Sequence, residues 1–596
     1  MRERNMAFDA FVLGAVSTEI EKKLIGPGAA VSKIYQLNPT DLLIYFKGTK
    51  QKGPLFLSIH AQKGRINFTE RHYDHPASPP AFCMLLRKHL VNGIIVSLEQ
   101  PPLERVLYLN FSVINENGKE VQKTLAVEIM GRHSNLLLLN NPDAEGKQAI
   151  LGTIKPVPPS INRFRTLMPH HTYFPPPPQE KLHPFALNYG TFQQELRMSV
   201  GKPTGRFLLE NIQGLSPSLA QEIAARAKKP LLENLTESSA RLLWEKMQEL
   251  FQIYVEKKWA PTLLLDDQGR PLDYSVINPA ETAAKYKRSY SSISELLDDY
   301  YDYREKAEAK ERLYSLLFRQ VEQSLKKCRS KEKKQLLELK KAKEADYYRK
   351  CGELILMNLK HIPPKAREIY PVDIYSGKDE KIKIELDPRI SPSQNAQRYF
   401  KKYRKARQGE KKISGTLEGT QNEIAYLESV LYFLDKNNLQ ALLEIKEELE
   451  EAGYLPPENK PYPRGKAVSF NPIIITASSG EEIYIGRNNR QNAYLIGHFA
   501  SKTDLWLHVK DMPGAHVIVR SANPHADLIK EAALLAAHFS RGAHSSNVPV
   551  DYTTVKNIRK IPGAKPGMVT YKNYRTIYVT PDEKILSPLL KKQRRL

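Results

Sequence analysis

Residues 311–328 read Glu311-Arg-Leu-Tyr-Ser-Leu-Leu-Phe-Arg-Gln-Val-Glu-Gln-Ser-Leu-Lys-Lys-Cys328. Leu313, Leu317, Val321 and Leu325 recur every four residues among Lys, Arg, Glu and Gln, which puts a narrow apolar stripe on one side of a helix. Outward from this stretch little interrupts the helix: between Ser294 and about Lys360 the only Gly is Gly352, and Pro waits until Pro363-Pro364. A second charged run, Gly409 to Glu451, places Ile424, Leu427, Leu431 and Leu434 at the three-four-three spacing of coiled-coil core positions. At 1.5 Å per residue the first helix alone would reach roughly 100 Å. The two runs therefore predict a long antiparallel coiled-coil arm, with helix 1 over 290–360, a tip over 361–408 and helix 2 over 409–453.

The tip is Pro-rich from Ile362 to Ser393, and its alternating runs Val372–Tyr375 and Ile382–Leu386 predict a small β element. Gln397-Arg-Tyr-Phe-Lys-Lys-Tyr-Arg-Lys-Ala-Arg407 follows, interleaving bases with aromatics. Arg398, Lys401, Lys402 and Arg404 suit phosphate neutralisation, while Tyr399, Phe400 and Tyr403 either stack on bases or pack the tip.

On either side of the arm the chain is globular. Its 596 residues exceed one core and require several domains, and 41% hydrophobic content allows them. Ninety Lys plus Arg against 66 Asp plus Glu leave a net charge of +24, which favours a polyanionic partner. Nucleic acid is favoured over lipid, because no amphipathic stretch has the apolar weight of a membrane anchor. No run approaches the ~18 apolar residues of a membrane span. The opening residues, with Met1 or Met6 as the start, do not resemble a signal peptide. Cys83, Cys328 and Cys351 form no CxxC pair and suit a reducing compartment, so a cytoplasmic protein is expected.

Residues 1–175 predict an α/β domain. A helix carries Phe8, Phe11, Val12, Ala15 and Ile20 on one face, with Asp9 in its first turn. Strands are expected at 30–35, 41–46, 55–59, 93–98, 105–111 and 124–129, with a short helix at 82–90 and a polar turn at 131–135 before Leu136–Leu139. Within 179–280, Leu208–Ile223 predicts helix, tight Gly214-Leu215-Ser216 turn and helix. Such a hairpin either offers backbone N–H groups to a phosphate or packs for structural reasons alone. Pro261–Leu265 and Pro271–Tyr274 predict a β patch rejoining the first domain.

Pro456-Pro457 and Pro461-Tyr-Pro463 mark the boundary of a last domain, 464–588. There Gly486-Arg-Asn-Asn-Arg-Gln-Asn492, with Arg487 at its start, suits sugar or phosphate contacts. Asp504-Leu-Trp-Leu-His508 predicts a strand with Asp504, Trp506 and His508 on one face, a binding face centred on Trp506. Six His between His498 and His544 raise the question of a metal, but no HExxH or other tight ligand spacing accompanies them, and none is expected. No GxSxG, no GxxxxGK[ST] and no framed Cys supplies a nucleophile. Glu104-Arg105, at the entry of a strand beside Pro101-Pro102, reads by itself as a surface ion pair.

Taken in order, Phe8-Asp9, Phe82–Leu90, Met130-Gly-Arg-His-Ser-Asn135, Ser391–Phe400, Asp504–His508 and Val550–Arg559 resemble the NFACT family over nearly the whole chain. The resemblance implies a multidomain α+β architecture. Its parts are an N-terminal domain akin to that of formamidopyrimidine-DNA glycosylase, a helix-hairpin-helix module, the coiled-coil arm and a C-terminal RNA-binding domain. It implies a ribosome quality-control factor that binds large ribosomal subunits carrying peptidyl-tRNA and recruits alanine tRNA to extend a C-terminal alanine tail without mRNA. Peptidyl transfer would be the ribosome's own, so no enzyme activity and no cofactor is expected. A small RNA-binding quality-control cofactor is a further partner the resemblance allows; a membrane is not. It further places tRNA binding at Asp9, Glu104, Arg105, Arg132 and His133, with Glu104 where the family's usual acid is Asp. Glycosylase activity is not expected, because those enzymes use an N-terminal proline amine and this chain begins Met1-Arg2. Two alternatives remain: a fibronectin-binding surface adhesin, from the family's older naming, and a general tRNA- or rRNA-binding protein without tailing activity.

Overall fold

The computed structural model describes residues 8–595 except 144, 234, 280–285, 344, 377–379, 458–471 and 522. The predicted boundary at Pro461–Pro463, the domain start at 464 and the alternative starts Met1 and Met6 lie outside the described residues. The chain divides into two compact units, Met1–Lys306 and Ala307–Leu596.

The first unit is built on α1 (Ala10–Ile20), which is apolar on almost every side and correspondingly buried: Phe11, Leu13, Val16 and Ile20 have no exposed surface. Around it runs an antiparallel sheet of β1 (Ala30–Gln36), β2 (Asp41–Lys47), β3 (Leu55–Ser58), β4 (Arg65–Phe68), β5 (Ile94–Glu99), β6 (Val106–Ile114), β7 (Glu120–Glu128), β8 (Asn135–Pro142) and β9 (Gln148–Thr153). The strand order is β4-β3-β2-β1-β5-β6-β7-β8-β9. α2 (Ala81–Leu90) packs on the sheet through Phe82, Cys83, Leu86 and Leu90. Alternation along β6 sends Leu107, Leu109 and Phe111 to the main core, while Tyr108 joins Leu137, Leu139, Ile150 and Tyr173 in a second layer on the other face.

The helices α3 (Tyr189–Met198), α4 (Thr204–Asn211), α5 (Pro217–Arg226) and α6 (Glu237–Val255) follow. After them comes a small sheet of β10 (Thr262–Leu265), β11 (Pro271–Ser275) and β12 (Tyr286–Ser289), in the order β11-β10-β12. The expected separation of 1–175 from 179–280 is not a separation of cores. Phe207, Leu208, Ile223, Leu243, Phe251, Leu263 and Tyr274 share one hydrophobic cluster with α1 and the large sheet.

In the second unit α7 (Ile293–Lys343), whose first turns belong to the first unit, α8 (Ala345–Met357), α9 (Pro392–Phe433) and α10 (Leu439–Glu451) form the expected helical framework with one correction. The second helix does not run unbroken over 409–453. It starts within the predicted tip at Pro392, where Ser391 and Gln394 form a capping box, and it stops at Phe433. The break contains Asp435-Lys-Asn-Asn438, residues whose short side chains compete for backbone groups, and Asn438 caps α10 by accepting from Ala441 N. The chain then doubles back, so Leu442, Ile445 and Leu449 join Leu317, Val321, Leu325, Tyr426, Leu427 and Val430 in one three-helix core.

The tip is a second small core of Cys351, Leu354, Ile355, Ile384, Leu386, Ala396 and Tyr399, closed by a two-residue ladder between β13 (Glu368–Ile369) and β14 (Ile384–Glu385). Gly352, the one glycine of the first helical run, sits where Phe400 crosses: a Cβ there would meet the Phe400 ring at 3.0 Å.

The C-terminal domain contains β15 (Ile473–Thr476), β16 (Glu482–Ile485), α11 (Asn489–Tyr494), β17 (Leu505–Val509), β18 (Val517–Val519), α12 (Ala526–His538) and β19 (Val548–Thr554). The hairpin β20 (Ile558–Lys560) and β21 (Val569–Tyr571) precedes β22 (Arg575–Val579), α13 (Glu583–Lys591) and β23 (Gln593–Arg595). Seven of these strands form one sheet in the order β22-β19-β17-β18-β16-β15-β23. α12, with Ala532, Ala533, Leu535, Ala536 and Ala537 buried, covers one face. Among the described residues no helix is long and apolar enough to cross a membrane, and no group of His, Cys, Asp and Glu is placed to hold a metal ion.

Candidate nucleic-acid interface

In the first unit the entry to β6 is a tight turn. Pro101-Pro102-Leu103-Glu104 closes with Glu104 N donating to Pro101 O at 3.0 Å, and Leu103 takes φ +61°. A positive φ at the third position of such a turn ordinarily selects Gly or Asn. Leu103 holds it because its side chain is buried in the main core and lies against Gly214 of the α4–α5 turn, itself at φ +82°. That contact brings the predicted residues together. Gln213 Nε2 donates to Glu104 Oε1 at 2.7 Å, and Gln100 Nε2 donates both to Ala10 O at the start of α1 and to Glu104 O, each at 2.9 Å.

Asp9 completes the corner from beneath. Its carboxylate caps α1 by accepting from Val12 N at 3.0 Å, and the Ser216 side chain hydrogen-bonds to it. Burial raises the Asp9 carboxyl above the ordinary carboxylate value, against the opposing pull of Ser216, the Val12 and Phe11 backbone and the Arg105 charge. Asp9 is 4% exposed. In this structure the residue expected to contact RNA is buried, hydrogen-bonded to the hairpin turn and within the field of the Arg105 charge. Of the two readings of the hairpin turn, the packing one fits its surroundings: Leu215 and Ser216 are buried, and the turn meets Leu103 and Asp9. Ser216 is named by the sequence only as a turn residue, and Gln213 is not marked by it at all.

Arg105, half-buried, stands where two strands end. Its carbonyl accepts from Ile129 N at 2.9 Å, just past the Val106–Glu128 pair. The next turn, Gly131–His133, presents Arg132 and His133 to solvent, and Arg132 Nε donates to His133 Nε2 at 3.0 Å. Lys155 Nζ donates to Arg132 O at 2.7 Å, a cation at this edge that the sequence reading overlooked. The structure therefore gathers Glu104, Arg105, Arg132, His133 and Lys155 at one end of the β6–β7–β8 ladder, with Asp9 as support. Cations clustered at strand ends suit phosphate and sugar contacts.

At the tip the open question about the aromatics is answered by packing. Tyr399 is buried and donates its hydroxyl to Glu385 O at 2.8 Å, and Phe400 lies on Gly352. Arg398, Lys401, Lys402 and Arg404 remain exposed on α9. Arg398 reaches Asp387 at 3.5 Å, and the Lys402 ammonium lies over the Tyr348 and Tyr399 rings. Tyr399 and Phe400 thus serve as a rigid backing for a cationic face.

The C-terminal domain brings the largest corrections. Asp504, Trp506 and His508 do share a strand face, and the Trp506 and His508 rings stack at 5.8 Å. That face is covered, however: Trp506 is fully buried among Ile474, Tyr484, Leu495, Ile518, Val555 and Ile558. Asp504 is buried and accepts from Ser501 N at 2.8 Å. Burial pushes His508 down to about 4, so it is neutral near pH 7. The segment 486–492 is also internal. Asn488 and Gln491 donate to Glu444 of α10, Asn489 Nδ2 donates to Glu448 at 3.1 Å, and Arg490 bridges Glu447 and Glu451. Arg487 is half-buried at its edge. Exposed cations of this domain include Lys556, Arg559, Lys560, Lys572 and Arg575, with Tyr574 and Tyr578 also exposed.

Comparison with known proteins gives these surfaces a lineage. Residues 9–466 match the family of NFACT N-terminal and middle domains, and residues 469–573 match the NFACT protein RNA binding domain. The Rqc2 homolog RqcH of Bacillus subtilis is 34% identical over 579 residues, covering 97% of this chain and 98% of that protein. The Rqc2 homolog RqcH of Streptococcus pneumoniae serotype 2 is 34% identical over 590 residues, 98% of this chain and all of that one. A solved N-terminal part of the fibronectin/fibrinogen-binding protein from Streptococcus suis is 28% identical, with TM-score 0.40, covering 50% of this chain and 99% of that structure. With both domain models and near-complete coverage of RqcH relatives, the chain belongs to the NFACT family.

Proposed function

We propose that this protein is a ribosome-associated quality-control factor that binds large ribosomal subunits carrying peptidyl-tRNA and recruits alanine tRNA. A C-terminal alanine tail is then added to the nascent chain without mRNA. The observation that carries this reading is the Glu104-Arg105 corner, in a chain that parallels RqcH proteins over nearly its whole length. Arg105 is backed by a buried carboxylate, a packed hairpin turn and a strained but well-filled Leu103, so its backbone is fixed before any ligand arrives. Arg132, His133 and Lys155 extend the cationic edge, and the exposed cations of the tip and the C-terminal domain offer further phosphate contacts. No covalent step is assigned to the chain; its side chains bind and orient, and the ribosome supplies peptidyl transfer.

Affinity purification of the full chain from cells, followed by RNA sequencing, tests the proposal. Enrichment of large-subunit rRNA and alanine tRNA is expected, together with alanine-extended nascent chains by mass spectrometry. Enrichment of rRNA and mixed tRNAs without extended chains would support a general RNA-binding protein instead. The adhesin alternative takes its support from the names of relatives such as the Streptococcus suis protein; fibronectin binding by intact cells that is lost with the protein would favour it.

A further inference from the structure

The loop after β9 holds one residue in an unusual position. Phe164 is 99% exposed and Ile161 74% exposed, whereas most large apolar side chains of the first unit are buried. The loop is nonetheless closed and rooted. Val157 and Leu167 exchange backbone hydrogen bonds at 3.0 and 2.9 Å, and Asn162 Oδ1 accepts from Phe164 N at 2.9 Å. Arg165 grips Glu128 through both terminal nitrogens and donates from Nε to Phe174 O at 2.6 Å. Glu128 has no exposed surface, so Arg165 anchors the loop in a buried ion pair, and Tyr173 adds a hydrogen bond to the same carboxylate at 2.9 Å. The ring beside this anchor is thereby held out in water, where covering its apolar surface would be favourable.

The root also fixes where the ring stands. Glu128 is the direct partner of Val106, the residue after Arg105, and Ile129 N donates to Arg105 O. Lys155, at the base of the loop, donates to the carbonyl of Arg132. The loop thus rises from the strand ends that carry Arg105, Arg132 and His133, and exposed Arg163 adjoins the ring.

We infer that Phe164 is a base-stacking finger that takes one unpaired base of a bound RNA, while Arg163, Lys155 and Arg132 meet the flanking phosphates. The inference rests on the RNA-binding reading above and adds the form of RNA recognised. Stacking on an exposed ring needs a base free of its partner, because a paired base in an A-form helix offers no open face, so the preferred ligand is a loop or single strand. A bilayer is disfavoured because one Phe and one Ile supply too little apolar area to anchor the chain.

Fluorescence anisotropy with the full chain tests it, using a labelled RNA hairpin with an unpaired loop and a fully paired duplex of equal length. Loss of one stacked base, about 1–3 kcal/mol, corresponds to roughly 5- to 150-fold. Phe164→Ala is expected to weaken hairpin binding by that factor and leave duplex binding unchanged, and Phe164→Trp is expected to restore it. Wild-type affinity of Phe164→Ala for the hairpin, with Arg105→Ala losing it, would overturn the finger and leave the RNA reading standing. Equal weakening on hairpin and duplex, or no rescue by Trp, would also overturn it. A wild-type chain that binds neither RNA would overturn both.

Discussion

Leu103 and Gly214 face one another with both backbones in the left-handed region, at φ +61° and +82°, and a Cβ on Gly214 would lie 2.6 Å from the Cβ of Leu103. The contact joins the strand entry that carries Glu104-Arg105 to the hairpin turn that carries Gln213 and Ser216.

Gly214→Ala should therefore be costly in two ways. The left-handed backbone disfavours Ala by about 1–2 kcal/mol, and the clash adds about 1–3 kcal/mol. Thermal unfolding is expected to fall by several degrees and tRNA capture to weaken. Leu103→Gly removes the clash partner, Cβ included, so the double variant should lose less stability than the sum of the single ones. Strict additivity in that cycle would show that the two residues do not constrain each other.

Arg105→Ala removes a half-buried guanidinium at a strand end whose hydrogen bonds to Ile129 are made by backbone. Folding should be preserved, with an unfolding midpoint close to wild type, while tRNA capture is abolished. Glu104→Gln keeps an oxygen for Gln213 and should retain the turn. Its effect on tRNA capture then reports the carboxylate charge alone. Retained capture by Arg105→Ala would remove that residue from the interface.

At the tip, exposed and backing residues should behave differently. Replacing Lys401, Lys402 and Arg404 together by Ala should weaken ribosome association and flatten its salt dependence, as expected when phosphate contacts are lost. Tyr399→Phe loses the bond to Glu385 O and should cost about 1 kcal/mol of stability, with the salt dependence unchanged. Sedimentation with large subunits across a salt series separates the two outcomes.

Glu448 provides a pH signature. Burial raises its carboxyl from an ordinary 4.5 to about 7, although Asn489, Tyr426 and Arg490 pull the other way. The folded state therefore holds a proton that the unfolded chain releases earlier, and stability contributed by this group is full below about 4.5 and lost as pH rises through about 7. Hydrogen exchange of the 488–492 amides should accordingly quicken, beyond the intrinsic rate change, between those values and level off above. Glu448→Gln should remove that dependence; a wild-type profile from the variant would assign the titration elsewhere.

Much of the fold was legible because it depends on local periodicity. The four-residue stripe of α7, the apolar runs of β1 and β2, the alternation in β6 and the Gly214 turn all follow from nearest neighbours in sequence. β4 escaped because Arg65-Ile-Asn-Phe68 is half polar. Its Arg65 is nevertheless 2% exposed, held between the Phe56 and Tyr301 rings and paired with Glu305, partners that only the fold supplies. The candidate sites divide in the same way. Arg132 and the tip cations lie where a polar turn and a basic run would put them, whereas Trp506 and the 486–492 segment were misjudged because burial by distant elements leaves no mark on residue type. An Asn that meets a carboxylate of α10 looks, in sequence, like an Asn that meets a sugar.

That substitution of partners has a consequence for how the C-terminal domain can move. The seam between 488–491 and α10 consists largely of amides and carboxylates, with Arg490 and the Lys565–Ala452 contact at its margin. Groups of this kind are well solvated when parted, so separation would uncover wettable surface instead of a greasy scar that invites aggregation. The attachment is a polar seam, held by paired side chains more than by buried apolar area.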